Sequence, residues 1–120
     1  MAFISKSVPA VDSINPVQGR ATLTADGVFV DVLAAPGAGY QTVVTDILVA
    51  HAAATPTWVR VRFRDGDNAL TDVAVLAGTT ITVSLVTPLV LSLNQPLRAS
   101  VSGNVTSVFV TASGFLVRRG

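Results

Sequence analysis

The sequence predicts an all-β chain: a single antiparallel β-sandwich, jelly-roll-like, with eight to nine short strands and an extended N-terminal arm. Three observations predict it. Turn signals recur about every ten residues. Between them, apolar and polar residues alternate with the period of a half-buried strand. The apolar content is mainly Val, Leu, Ala and Ile, interspersed with Thr and Ser, and no segment carries a convincing helical period.

Composition sets the outer limits. At 120 residues the expectation is one domain, with residues 1–19 as the arm and 20–120 as the sandwich. There is no cysteine, which excludes disulfides and thiolate metal sites. A net charge of +1 argues against a general polyanion binder, so no nucleic acid is expected as a partner. No apolar run reaches the ~18–20 residues of a membrane helix, and no membrane partner is expected. The start, MAFISKSVPAV, lacks the charged opening and continuous apolar core of a signal peptide, so the chain is expected to stay unexported. Only 12% of residues are charged, against about 25% in an average domain. Half are hydrophobic. Such a chain either has a dense core or has apolar surface covered by other subunits; the second is the expectation here.

Residues 1–19 hold Phe3-Ile4, Val8-Pro9 and Ile14-Asn15-Pro16. Proline removes ladder donors and resists helix, so the stretch reads as an arm reaching a neighbour or as an edge strand on its own sheet. Arg20–Thr24 and Val28–Leu33 flank Asp26-Gly27, a hairpin signal. Val28, Val30 and Val32 are expected on one face, Phe29, Asp31 and Leu33 on the other. Ala34–Tyr40 is a loop by its Pro and Gly content. Thr42–His51 is apolar on both faces, Val43, Ile47 and Val49 against Val44, Leu48 and Ala50, as in a central strand covered twice.

Thr57–Asn68 has the clearest pattern. Trp58, Arg60, Arg62 and Arg64 point one way; Val59, Val61 and Phe63 point the other. Ala69–Leu76 returns. A three-residue loop, Gly66-Asp67-Asn68, would set Val59 against Val75, Val61 against Val73 and Arg62 against Asp72, with Asn68 in the left-handed region. A five-residue loop would keep the same pairing. Ala77-Gly78 breaks the chain. Thr79–Leu85 alternates with Ile81, Val83 and Leu85 inward. Leu89, Leu91 and Leu93 share a face. Asn94-Gln95-Pro96 turns. Leu97–Ser102 sets Ala99 and Val101 against Arg98 and Ser100. Thr106–Val117 is the last strand, with Gly114 as a bulge candidate.

Reaction chemistry is not evident. His51 is the lone histidine, and it falls on the opposite face of its strand from Asp46, so no nucleophile–base–orienter set forms. Asp65-Gly66-Asp67-Asn68 brings oxygen ligands together but lacks the closing acid of a calcium loop. Gly37-Ala38-Gly39 precedes a strand and offers no helix N-terminus to a phosphate. No catalytic, cofactor-binding or metal residues are expected, and no cofactor. The Trp58/Arg60/Arg62/Arg64 face reads either as a solvated outer face or as a protein interface; a third reading, nucleic acid, is disfavoured because nothing else extends the basic patch and aromatic stacking partners are few.

Four stretches carry a family resemblance. They are Thr45-Asp46-Ile47-Leu48-Val49-Ala50, Val59–Gly66 closing in Arg64-Asp65-Gly66, Pro88-Leu89 leading to Asn94-Gln95-Pro96-Leu97, and Thr111-Ala112-Ser113-Gly114-Phe115. In this order they resemble small β-sandwich virion proteins of tailed bacteriophages, the capsid decoration or cement proteins. The resemblance covers about two-thirds of the chain and leaves out the arm. It implies a structural protein without enzymatic activity, made in the host cytoplasm and bound to the capsid surface of the virion. It also implies self-association, most often as a homotrimer, and the major capsid protein as partner. On that expectation Phe3 and Ile4 anchor the arm, and the Trp58–Arg64 face meets a sister subunit or the capsid. The alternative from a different class is a receptor- or glycan-binding jelly roll of a head or tail fibre.

Overall fold

The alternating stretch and its return form the tip from which the whole fold can be read. Trp58–Asp65 (β4) and Asn68–Leu76 (β5) are joined by Gly66-Asp67 alone. Gly66 has φ +59° and Asp67 does not share its sign, the pattern of a type II′ hairpin turn. Val59 faces Val75, Val61 faces Val73 and Arg62 faces Asp72, as expected. The route differs. Asp65 pairs with Asn68 and Arg64 with Ala69, then Phe63 pairs with Thr71, leaving Leu70 as an extra residue. A bulge, not a third loop residue, supplies the one-residue slip, and Asn68 is not left-handed. The slip matters because, without it, the valines of the two strands would face opposite sides of the sheet.

This computed structural model describes residues 14–52, 58–83, 88–103 and 108–118. The other strands are Ile14–Leu23 (β1), Val30–Leu33 (β2), Tyr40–His51 (β3), Thr79–Val83 (β6), Leu89–Val90 (β7), Leu97–Val101 (β8) and Val108–Arg118 (β9). Outward from the tip the pairs nest: β4 with β5, β3 with β6 and β7, β2 with β8, β1 with β9, all antiparallel. The chain is one long hairpin. It is rolled so that β9 also pairs with β3 and β8 with β4, giving one sheet ordered β1-β9-β3-β6, with β7 beside β3, and a second ordered β2-β8-β4-β5. That is a jelly roll. The core lies between the sheets, with Leu23, Ile47, Phe63, Leu91, Leu97 and Val110 among its fully buried members.

Several sequence expectations are corrected by the roll. Residues 14–19, expected in the arm, are the first half of β1 and pair along β9 from Ile14–Val117 to Gly19–Ala112. Pro16 is tolerated because β1 is an edge strand. Phe3 and Ile4 lie outside the described residues, as do Leu85 and Thr106. Asp26-Gly27 does turn the chain, with the Val28 N–H donating to the Ala25 carbonyl (3.2 Å). It does not make a hairpin, however, because β1 and β2 belong to different sheets. The turn is tied instead to β8 and its exit: Gly27 N–H to the Val101 carbonyl (2.9 Å) and Gly103 N–H to Asp26 Oδ1 (2.6 Å). A shift between Asp31 and Leu33 buries Val32 and Leu33 together, while Val28 is exposed.

β3 is central, as expected, but its faces are not those of a regular strand. The register against β9 slips between Val44 and Asp46, opposite Gly114 and Ser113. The bulge therefore sits in β3, and Gly114 is the residue that admits it: a Cβ there would collide with the Val43 carbonyl. The Thr45 hydroxyl donates to the Ser113 carbonyl (3.2 Å) across the irregularity. As a result Val44 joins Ile47, Val49 and His51 inward, and Val43 joins Leu48 outward. Leu48 is 41% exposed, so the described residues do not cover β3 on both sides. Leu93 is also exposed, because the turn that follows starts at Ser92 (Gln95 N–H to Ser92 carbonyl, 3.2 Å) and ends the alternation.

Candidate interaction face

The outer side of the β2-β8-β4-β5 sheet holds the four predicted residues in one row along β4. They arrive there because β4 alternates without interruption, Val59, Val61 and Phe63 being buried beneath them. Their surroundings differ. Trp58 stands at the start of the strand and is 67% exposed. Arg60 and Arg62 are exposed. Arg64 is half-buried, its guanidinium 3.9 Å from the centroid of the Phe29 ring, a cation–π contact. Trp58, Val59, Arg60, Arg62, Ala74 and Ser102 line a shallow depression of about 280 Å³. The Ser102 hydroxyl accepts the Arg60 N–H (2.9 Å), and the Ser102 N–H donates to the Arg60 carbonyl (2.9 Å), which fixes the floor.

Charge is unevenly paired across this face. Arg98 on β8 takes two carboxylates, Asp31 Oδ1 at 2.9 Å and Asp67 Oδ1 at 3.4 Å. Arg60, Arg62 and Arg64 have no ion pair among the described residues. Arg62 lies between Asp72 on one side and Ser100 on the other by register, without reaching ion-pair distance of Asp72. Arg98, Asp31, Phe29 and Ser100 belong to this face but were not legible as such. The alternation of each short strand was visible; that β2 and β8 lie beside β4 was not.

The other candidates separate. His51 is 1% exposed on the inner side of β3, with neither ring nitrogen hydrogen-bonded among the described residues. Asp46 is exposed on the outer side. The tip carboxylates diverge: Asp65 Oδ2 accepts the Ser92 N–H (2.9 Å) and hydroxyl (2.7 Å) inside the fold, while Asp67 reaches Arg98 outside. They form no joint cation site. No group of three or more His, Asp or Glu side chains placed to hold a metal occurs among the described residues.

No protein-family model and no curated protein matches the chain. Among solved structures it is similar to a subunit of Bacillus endospore appendages, described as a family of disulfide-linked pili. The TM-score is 0.55 at 10% identity, over 90% of each chain. The likeness is one of fold. This chain has no cysteine with which to form the links named for those pili. A second similarity is to the carbohydrate-binding and catalytic modules of a Clostridium thermocellum xylanase, at 14% identity over 91% of this chain and 26% of that one. Its TM-score of 0.34 is too low to carry an argument.

Proposed function

We propose that this protein is a non-enzymatic structural subunit, a decoration or cement protein on the head of a tailed bacteriophage, acting as a homo-oligomer, most simply a trimer. Its mechanism is burial across boundaries: a protein seated over the joint between two capsid subunits adds contacts that must break before the subunits separate. The single observation that carries the proposal is the exposed Trp58 beside Arg60 and Arg62, on a sheet face whose neighbouring Arg98 is already neutralised. A large aromatic and unpaired guanidinium forks are the residue types that dominate binding energy when a partner covers them. The partner is the major capsid protein, presenting carboxylates to the arginines. Phe3 and Ile4, which lie outside the described residues, add a second contact, either to the capsid or to a sister subunit.

The test is binding to heads that lack the protein, measured by co-sedimentation, together with the heat stability of those heads. Wild-type protein should bind and raise the disruption temperature. Trp58→Ala should weaken binding by about thirtyfold, the size of a ~2 kcal/mol hot spot. Heads that neither bind nor gain stability would sink the proposal. Specific recognition on a glycan array would favour the alternative, a receptor- or glycan-binding jelly roll of a head or tail fibre.

A further inference from the structure

The two outer faces of the sandwich differ in chemistry. On their outer side β2, β4, β5 and β8 carry four arginines and the two aspartates Asp31 and Asp72. In the other sheet the charged residues of the strands are Arg20 on β1, Asp46 on β3 and Arg118 at the very end of β9. Arg20 and Asp46 face outward and are exposed. Between and around them the register sets Thr111 beside Leu48 and Arg20, Phe109 beside Ala50, and Phe115 beside Val43. Leu48 is 41% and Val90 57% exposed on this same side.

We propose that the outer face of the β1-β9-β3-β6 sheet is the surface on which copies of this chain pack together, the β1 side of one copy against the β3 side of the next. Three features commit it to a second copy. First, it is nearly free of charge, unlike the arginine-rich face opposite, so covering it costs little desolvation. Second, the cation Arg20 and the anion Asp46 flank β9 on opposite sides, with Arg20 level with Thr111 and Asp46 level with Ser113, a single outward step apart. Turning a second copy about an axis along β9, by a half-turn or a third of a turn, brings β1 of one face to β3 of the other. Arg20 then lies one step from the partner's carboxylate, which its long side chain can span. Third, the size suffices for a modest interface. β1, β3 and β9, of 10 to 12 residues, lie three abreast and cover roughly 33 × 14 Å at ~3.3 Å per residue and ~4.8 Å between strands. The shorter β6 and β7 extend the face beyond β3, toward the roughly 600–1,000 Å² each partner contributes to a standard interface. The inference uses none of the residues assigned to the capsid contact.

The experiment is sedimentation equilibrium on the full chain and on Arg20→Asp, Asp46→Arg and the double reversal, with circular dichroism confirming the fold of each. Wild-type protein should associate at micromolar concentration, toward twice the 12.4 kDa protomer for the half-turn or three times for the third of a turn. Each single reversal should weaken association by about tenfold or more by setting like charges together, and the double reversal should restore it. A monomeric wild type, association indifferent to all three variants, or singles that weaken without rescue in the double would each overturn the proposal. Head binding is read separately: its absence with association intact would remove the capsid reading and leave this interface standing.

Discussion

Gly19 of β1 and Val32 of β2 touch across the two sheets: a side chain on Gly19 would fall on the Val32 carbonyl oxygen and against the Leu33 side chain. The two sheets approach closely here. The atom in the way is backbone, which cannot rotate aside. Gly19→Ala should therefore destabilise the protein by about 1–3 kcal/mol through overpacking. A urea midpoint equal to that of the wild type would mean the sheets do not approach so closely there.

Asp65 holds the hairpin tip to the loop after β7 through the Ser92 N–H and hydroxyl. Asp65→Ala should cost about 1–3 kcal/mol, because the Ser92 donors lose their acceptor. Asp65→Asn keeps a carbonyl oxygen as acceptor and should cost less. Equal losses in the two variants, measured by denaturant unfolding, would point to packing rather than hydrogen bonding.

His51 is buried without a hydrogen bond to either ring nitrogen among the described residues. Replacing an unpaired buried polar group with an apolar one of similar size removes a desolvation cost. His51→Leu should leave stability unchanged or raise it by about 1 kcal/mol. His51→Ala should lower it by about 2–4 kcal/mol, as large-to-small core changes do. A large loss in His51→Leu would show that the imidazole is needed for itself.

Trp58 is mostly exposed, so its removal should spare the isolated fold. Trp58→Ala and the pair Arg60→Ala/Arg62→Ala should each change the unfolding free energy by no more than a surface change does, within about 0.5 kcal/mol, as read by denaturant unfolding. A drop beyond that would assign these residues to the fold instead of to a partner.

The β4–β5 register shows how far local pattern reaches. Matching Val61 to Val73 and Arg62 to Asp72 was enough to find the pairing, because side-chain complementarity selects register in a hairpin whose strands are neighbours in sequence. The same reasoning failed at Asp26-Gly27. That turn has hairpin chemistry, yet its Gly27 N–H goes to the Val101 carbonyl and its Asp26 carboxylate accepts the Gly103 N–H, more than seventy residues on. Val43 and Val44 were placed on the wrong faces for a related reason. A bulge at Thr45 depends on Gly114 in β9, and nothing within β3 announces it.

By itself the sequence determined that the chain is strands and turns, which residues of most strands face the core, and that Trp58, Arg60, Arg62 and Arg64 share one side. These follow from a period of two, which each strand carries alone. Only the tertiary structure decided which strands lie beside each other, where the bulges reset the alternation, and that Arg98 keeps Asp31 and Asp67 while the β4 arginines stay unpaired. Backbone hydrogen bonds are the same for every strand. The choice of neighbour is therefore made by the closure of the whole roll around one core.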